Sequence, residues 1–497
     1  MGNYFHDLLP KEELAQLHYI PTIPEFVKWI EEKWTSRPAL SDSVNNYSYK
    51  EMADRIARKR SYLNDLGLQK GDKVAIWERS SIDAVEMFLA VTSAGYVAIM
   101  LPAQLPAPAV AGSCVKFGVS VIAVRDEFKE AAAGVPCRII PSSSMADSPA
   151  PVAAASKDDP AAIFFTGGTT GAPKGAVLPH RALMRGALNG VFAPGSVLGE
   201  GHRYIGFLPL SHIFGIVRGT LAVLFSGAQW FAAEDMKATI GRIPVIQPTD
   251  LVLVPGLCDI LYGLTKMYGP QFLGGKLKMI ISGAANVPPR LISAFDELGI
   301  SLLAGYGMTE GANLTSGNVN VKEKPTSVGK IYPEQEVKIV NGEIWFRGDN
   351  VFLGYYGEPE KTRETLTEDG WLKTGDLGRF DEDGFLYIVG RIKNLIILPN
   401  GENVSPESIE EPFYKCNALK DCLVKEDSSD GNPCIAIEIL PQMAAFEGKG
   451  WDEVEAFFKN LVADINKTLP TTHRISRITV RKDDFKRTGA MKVSRNQ

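Results

Sequence analysis

The sequence predicts an α/β protein: a large N-terminal domain of layered αβ subdomains with a small β-barrel, followed by a small α+β C-terminal domain. Three observations carry this. Up to Ser282, short apolar runs alternate with helix-like stretches, the pattern of a parallel sheet covered by helices. After about Ser316 the runs shorten and Gly and Asp separate them, as in an antiparallel sheet or barrel. From about Ile392 a compact mixed segment follows and ends in the basic Lys482–Arg495 stretch.

In chain order, Ile23–Leu66 reads as two helical pieces around a turn, with Tyr47-Ser48-Tyr49 a short strand before a helix starting near Lys50. Lys73–Trp77 is an apolar strand and Ile82–Gly95 the helix after it. Val121–Val124 and Ala162–Phe165 continue the alternation, and Ser142–Lys157, rich in Ser, Ala and Pro, reads as a surface connection. Leu251–Pro255 and Lys278–Ser282 flank a helical stretch and form a second βα unit. Val337–Val340, Glu343–Phe346 and Phe385–Val389 are the β-type runs of the later region.

Of the 497 residues, 45% are hydrophobic and 22% charged, the balance of a globular chain. A net charge of −5 argues against a dedicated nucleic-acid binder. Six cysteines, at 114, 137, 258, 416, 422 and 434, show neither Cys-x-x-Cys nor zinc spacing, so reduced thiols and a cytoplasmic location are expected. Met1–Leu17 has no secretory apolar core, and the longest apolar stretch, Met87–Ala103, is broken by Thr92, Ser93, Gly95 and Pro102; no transmembrane segment is expected.

Phe164-Phe165 leads into Thr166-Gly167-Gly168-Thr169-Thr170-Gly171-Ala172-Pro173-Lys174-Gly175. Glycines let backbone N–H groups approach an anion, threonines add hydroxyl donors and Lys174 adds charge. Pro173 before the lysine and Gly175 after it exclude a Walker loop. Composition alone leaves two readings, a flexible turn and a triphosphate cradle.

The whole string resembles the signature loop of the adenylate-forming superfamily, which includes acyl-CoA synthetases, luciferases and peptide-synthetase adenylation domains. Gly167 stands where the common pattern has Ser. Further matches follow in family order: Leu208-Pro209-Leu210-Ser211-His212-Ile213-Phe214-Gly215, Ser282-Gly283-Ala284-Ala285, Gly305-Tyr306-Gly307-Met308-Thr309-Glu310, Thr374-Gly375-Asp376 and Gly390-Arg391. The resemblance implies ATP, Mg²⁺ and CoA as cofactor and co-substrates. It implies nucleotide contacts from Thr166, Gly167, Gly168, Thr169, Thr170, Gly171, Lys174, Gly283, Ala284 and Ala285. Tyr306 would pack on the adenine, Asp376 would accept from the ribose hydroxyls, and Arg391 would donate to ribose or phosphate. Thr309 would meet the α-phosphate and Glu310 would hold Mg²⁺. A carboxylate substrate is already ionised at pH 7, so Glu310 is not needed as a base. His212, Phe214, Arg218, Gly305 and Met308 would line the acyl pocket, with His212 and Thr309 also catalytic.

In the same resemblance Lys492, within Lys486–Arg495, is the catalytic lysine, which offsets the repulsion between carboxylate and α-phosphate. Met491 replaces the Gly usual before it. Lys393, two residues after Arg391, would be the hinge between residues 1–391 and a mobile 392–497, with Asn394 in place of the usual Asp. The Asp that marks amino-acid activators is missing near Leu208–His212, and no carrier domain is appended. A CoA ligase acting on a fatty or other acyl acid is therefore the leading expectation. An aryl-acid ligase, a ligase loading a carrier protein and a non-catalytic nucleotide sensor are the alternatives. The expected partners are a small carboxylic acid, ATP and CoA, with a homodimer left open. Gly215–Leu224 is apolar except for Arg218 and Thr220 and reads as a buried helix; Arg218 is either in a salt bridge, at the pocket mouth, or the binder of a polar group at the far end of the acid.

Overall fold

The computed structural model describes residues 4–166, 174–193, 198, 201–313, 315–398, 402–428, 434–487, 493 and 495. Its largest sheet has seven strands, in the order Gly354–Tyr355, Lys174–Pro179, Pro160–Thr166, Val97–Leu101, Lys73–Trp77, Val119–Val124, Arg138–Pro141. The last five pair in parallel and the first two antiparallel, so the sheet is mixed rather than purely parallel. The difference arises because Lys174–Pro179 pairs antiparallel with Pro160–Thr166, the strand just before it in the chain.

Strand alternation divides the apolar residues between the two faces of this sheet. Val74, Ile76, Ala98 and Met100 enter one core with the helices Ile23–Trp34, Tyr49–Asp65 and Ile82–Ser93; Ala75, Trp77, Ile99 and Leu101 enter another with Ala107–Phe117. The expected two helical pieces near the N-terminus are present, but a hairpin of Pro38–Ser41 and Asn46–Ser48 separates them. The Ser142–Lys157 connection is tied down: the fully buried Lys59 Nζ donates to Ser142 O at 2.6 Å, and Arg60 Nη2 to Ala150 O at 2.6 Å.

A second sheet runs Asp250–Leu253, Met279–Ser282, Ser301–Tyr306, Ser316–Asn318, Lys330–Ile331, with the first three strands parallel. The β-rich region after it is a four-stranded antiparallel sheet of Gln335–Val340, Glu343–Gly348, Leu372–Phe380 and Leu386–Arg391. Beyond Ile392, the sheet Leu419–Asp427, Cys434–Pro441, Ile475–Val480 and the helix Trp451–Thr468 enclose their own apolar core. Among the described residues, no helix is long and apolar enough to cross a membrane.

Candidate active site

The parallel strands that carry the sequence motifs all end toward one cleft, the usual place for a ligand on open α/β sheets. Pro160–Thr166 ends at the glycine-rich loop, Met279–Ser282 at Gly283 and Ser301–Tyr306 at Gly307. Thr166 and Lys174 face each other across the antiparallel ladder, so the two described ends of the loop are adjacent. Gly167, Gly168, Thr169, Thr170 and Gly171 lie outside the described residues.

Tyr306 O–H donates to Asp376 Oδ2 at 2.8 Å. Arg391 stands opposite Asp376 on the ladder and donates to it through Nε and, at 3.5 Å, through Nη2. Asp376 is 5% exposed, and its N–H donates to Thr374 Oγ1 at 3.0 Å. Burial, then the Asp376 charge, pushes the Tyr306 phenol well above its ordinary value. Burial pulls Arg391 down, but Asp376 more than offsets it and the guanidinium stays charged. One ion pair thus orients a flat aromatic, a carboxylate and a guanidinium across two sheets.

Glu310 is buried and accepts from Tyr355 O–H at 2.7 Å through Oε1. Lys174 Nζ lies 4.6 Å from the Tyr355 ring centroid, a cation–π contact. Burial and the Glu310 charge push the Tyr355 phenol up, so it remains a donor. Tyr355 was not singled out from the sequence: a tyrosine between Gly354 and Tyr356 carries no local sign that its strand pairs with the loop's exit strand. Lys393, in the turn Ile392–Asn394, is held below the ordinary lysine range by burial and by Arg391, with Lys174 adding to the effect; Asp376 and Glu310 act the other way. Three cations and two carboxylates therefore share the cleft, a field suited to a polyphosphate.

Non-glycine residues with left-handed backbone cluster here: Ala284 at φ 66°, Ala312 at 44° and Asn313 at 77°. Such residues cost roughly 1–3 kcal/mol each and tend to mark ligand clamps. Met308 caps the short turn Thr309–Gly311, which presents Thr309 and Glu310 beside Tyr306. Ala285 is half-buried next to Ala284.

His212 is exposed, and its Nδ1 accepts from Phe214 N–H at 3.2 Å. Phe214 lies against the Ser282–Ala285 turn: a Cβ on Gly283 would sit 3.2 Å from Phe214 Cζ and 3.6 Å from Gly305 O. Gly283, Gly305 and Phe214 are thus brought together. The expected helix over Gly215–Leu224 is present and buried, but Phe214–Leu221 is π-helical and only Ala222–Phe225 is α-helical. Arg218 lies inside the π segment and is 4% exposed. π segments often mark functional sites. Lys492 lies outside the described residues.

The family model for AMP-binding enzymes matches residues 27–356. A long-chain-fatty-acid–CoA ligase of Mycobacterium bovis is 28% identical over 475 residues, covering 80% of this chain and 78% of that one. The peroxisomal long chain acyl-CoA synthetase 6 of Arabidopsis thaliana is 30% identical over 356 residues, 59% of this chain and half of that one. A feruloyl-CoA synthase of Amycolatopsis is 29% identical, covering 76% of this chain and 80% of that one. Among solved structures, ATP-bound MatB from Rhodopseudomonas palustris superposes with a TM-score of 0.81 at 24% identity, over 96% of this chain and 98% of that one. The o-succinylbenzoate CoA synthetase of Bacillus subtilis, with its acyl-adenylate, gives 0.80 at 22% identity, over 97% and 98%. With the site geometry, these matches establish that the chain belongs to the AMP-binding enzyme family, the adenylate-forming superfamily of acyl-CoA synthetases and ligases.

Proposed function

We propose that this chain is an AMP-forming acid–CoA ligase that converts a carboxylic acid and ATP to acyl-AMP and pyrophosphate, then transfers the acyl group to CoA. The observation that carries the reading is the Tyr306–Asp376–Arg391 constellation, held beside Glu310 and the loop residue Lys174. Tyr306 offers a flat apolar face to the adenine. The Asp376 carboxylate, already accepting from Tyr306 and Arg391, is set for the ribose hydroxyls, and Arg391 is a permanent donor toward ribose or phosphate. Lys174 and Lys393 complement the phosphates. Thr309 meets the α-phosphate, and His212 lines the acyl pocket and serves catalysis in this reading. Glu310 fits a Mg²⁺ site: its Oε1 is oriented by Tyr355, and a single carboxylate plus substrate phosphates is how this ion is usually held. When bound, Mg²⁺ would neutralise phosphate charge.

Residues 1–391 and 392–497 are the proposed domains, with Lys393 as hinge. The separate apolar core beginning at Ile396 supports that division. Lys492 is the proposed lysine of the first half-reaction and leaves with the small domain for the second. The six free thiols support a reducing compartment, so a cytoplasmic location is proposed. Acid-dependent exchange of pyrophosphate into ATP tests the first step. Formation of AMP and a thioester on adding CoA tests the second. No exchange with any acid would defeat the reading, whereas exchange with no thioester would point to a carrier protein as acceptor.

A further inference from the structure

Arg218 sits about one helical turn beyond Phe214. Because Phe214 rests on the Gly283–Gly305 turn, the helix carries Arg218 from the nucleotide cleft into the core. Its aliphatic stem packs beside Gly190, where an added Cβ would come within 2.9 Å of Arg218 Cδ. The guanidinium hydrogen-bonds the Tyr204 phenol and acts on the Tyr332 phenol.

Among the described residues, no carboxylate lies within ion-pair distance of Arg218. Asp250, which also acts on Tyr204, is already engaged by His202 Nδ1 at 3.0 Å and Thr249 Oγ1 at 2.6 Å. The two phenols cannot supply the missing charge. Burial pushes Tyr204 up despite Arg218, and pushes Tyr332 up to about 12, so both are neutral at pH 7. A buried guanidinium without an anion is costly.

The neighbouring wall is also short of partners. Asn313 Nδ2 and Thr315 Oγ1 are buried, with no hydrogen bond among the described residues. They lie just beyond the Thr309–Gly311 turn, and Tyr332, on which Arg218 acts, donates its N–H to Thr315 O at 3.1 Å. Gly186 brings the two sides together: a Cβ there would meet Ala312 O at 2.5 Å and Val217 Cγ1 at 2.7 Å. Arg218 and the unbonded Asn313 and Thr315 groups thus stand on segments that meet at Gly186 and Tyr332.

We infer that Arg218 is a specificity-determining residue that binds a second carboxylate at the far end of the acid, so that the substrate class is a dicarboxylic acid. This rests on the adenylating reading above. It also separates the chain from relatives whose names specify long-chain fatty acids.

The test measures acid-dependent AMP formation for acids from butanoate to octanoate, each beside its α,ω-dicarboxylate counterpart. The full chain is expected to favour one or more dicarboxylates over the matched methyl-terminated acid. Arg218→Met should lower the ratio of kcat/KM for that dicarboxylate over its matched monocarboxylate on the order of 100-fold. Arg218→Lys, which keeps the charge, should recover part of the preference. Thermal melting of each variant identifies loss of fold, and the wild-type preference stands as evidence without any variant. Wild-type preference for methyl-terminated acids, or an unchanged ratio in a folded Arg218→Met, overturns the inference while leaving the adenylating reading intact. Failure of the wild type with every acid overturns both.

Discussion

On the proposed nucleotide side of the cleft, Tyr306, Asp376 and Arg391 are held together by hydrogen bonds between two sheets. In the C-terminal unit, Val493 is held by apolar packing and Arg495 by ion pairs. Val493 packs on Leu423, Leu440 and Phe485. Arg495 donates to Val424 O at 3.0 Å and Glu410 Oε2 at 2.9 Å, and forms an ion pair with Glu407 Oε1 at 3.0 Å. Glu407 in turn accepts from Asn394 Nδ2 at 2.7 Å, beside Lys393. The first arrangement suits a ligand pose that must not change. The second ties the end that bears the lysine to the proposed hinge, so the two can move as one body.

The largest expected effect separates these sides by reaction step. Lys492→Ala should slow acyl-AMP formation on the order of 100-fold, about 3 kcal/mol, and spare thioester formation from preformed acyl-AMP. Single-turnover rates of each half-reaction check this, and equal loss in both would mean that the lysine does not leave between steps.

Next is the anchor. Burial pushes the Glu410 carboxyl up to about 7, with Arg495 opposing. Arg495→Ala removes the cation that opposes this burial and should destabilise the C-terminal unit by about 1–3 kcal/mol, most at higher pH where the carboxyl must ionise. Because the folded value lies above the unfolded one, the native state holds the extra proton between about pH 4.5 and 7, and stability on this account falls as pH rises through that window. Hydrogen exchange over Leu419–Asp427 in the full chain reads both effects, and Glu410→Gln should restore much of the loss. Unchanged protection in Arg495→Ala would show that Arg495 does not anchor this end.

The same contrast explains what was readable in the sequence. Strands such as Lys73–Trp77 announce themselves because alternate residues fill two cores. Tyr306, Asp376 and Arg391 could be named because each sits in a short contiguous motif. Tyr355 was missed because its place arises from strand pairing far apart in sequence, and Tyr204 and Tyr332 because theirs arise from tertiary proximity to Arg218. The mixed character of the main sheet and the π segment around Arg218 are likewise tertiary outcomes. An apolar helical pattern does not distinguish i→i+4 from i→i+5 bonding.

A smaller effect sharpens the picture of the large region. His180 is 1% exposed, accepts from Ile23 N–H at 3.3 Å through Nδ1, and is lowered to about 4 by burial. The folded state refuses the proton that the unfolded chain accepts below about pH 6.5. Stability should therefore fall by about 2 kcal/mol between pH 7 and pH 5 on this account, and continue falling toward pH 4. Denaturant titrations should show His180→Asn with a flatter dependence over that range, and an equally steep one would assign the acid sensitivity elsewhere.

The smallest expected effect tests the seam between the two regions. Ser405 Oγ donates to Val389 O at 2.7 Å, and only a glycine at 390 allows this approach, since a Cβ there would lie 2.1 Å from the hydroxyl oxygen. Ser405→Ala removes one such bond, about 1 kcal/mol. If the bond belongs to only one orientation of the C-terminal unit, that difference shifts the balance between orientations about fivefold. The half-reactions should then respond in opposite directions, one faster and one slower, with little change in thermal stability. A uniform change in both rates would instead mean that the seam persists through the whole cycle, and that rotation about Lys393 does not break it.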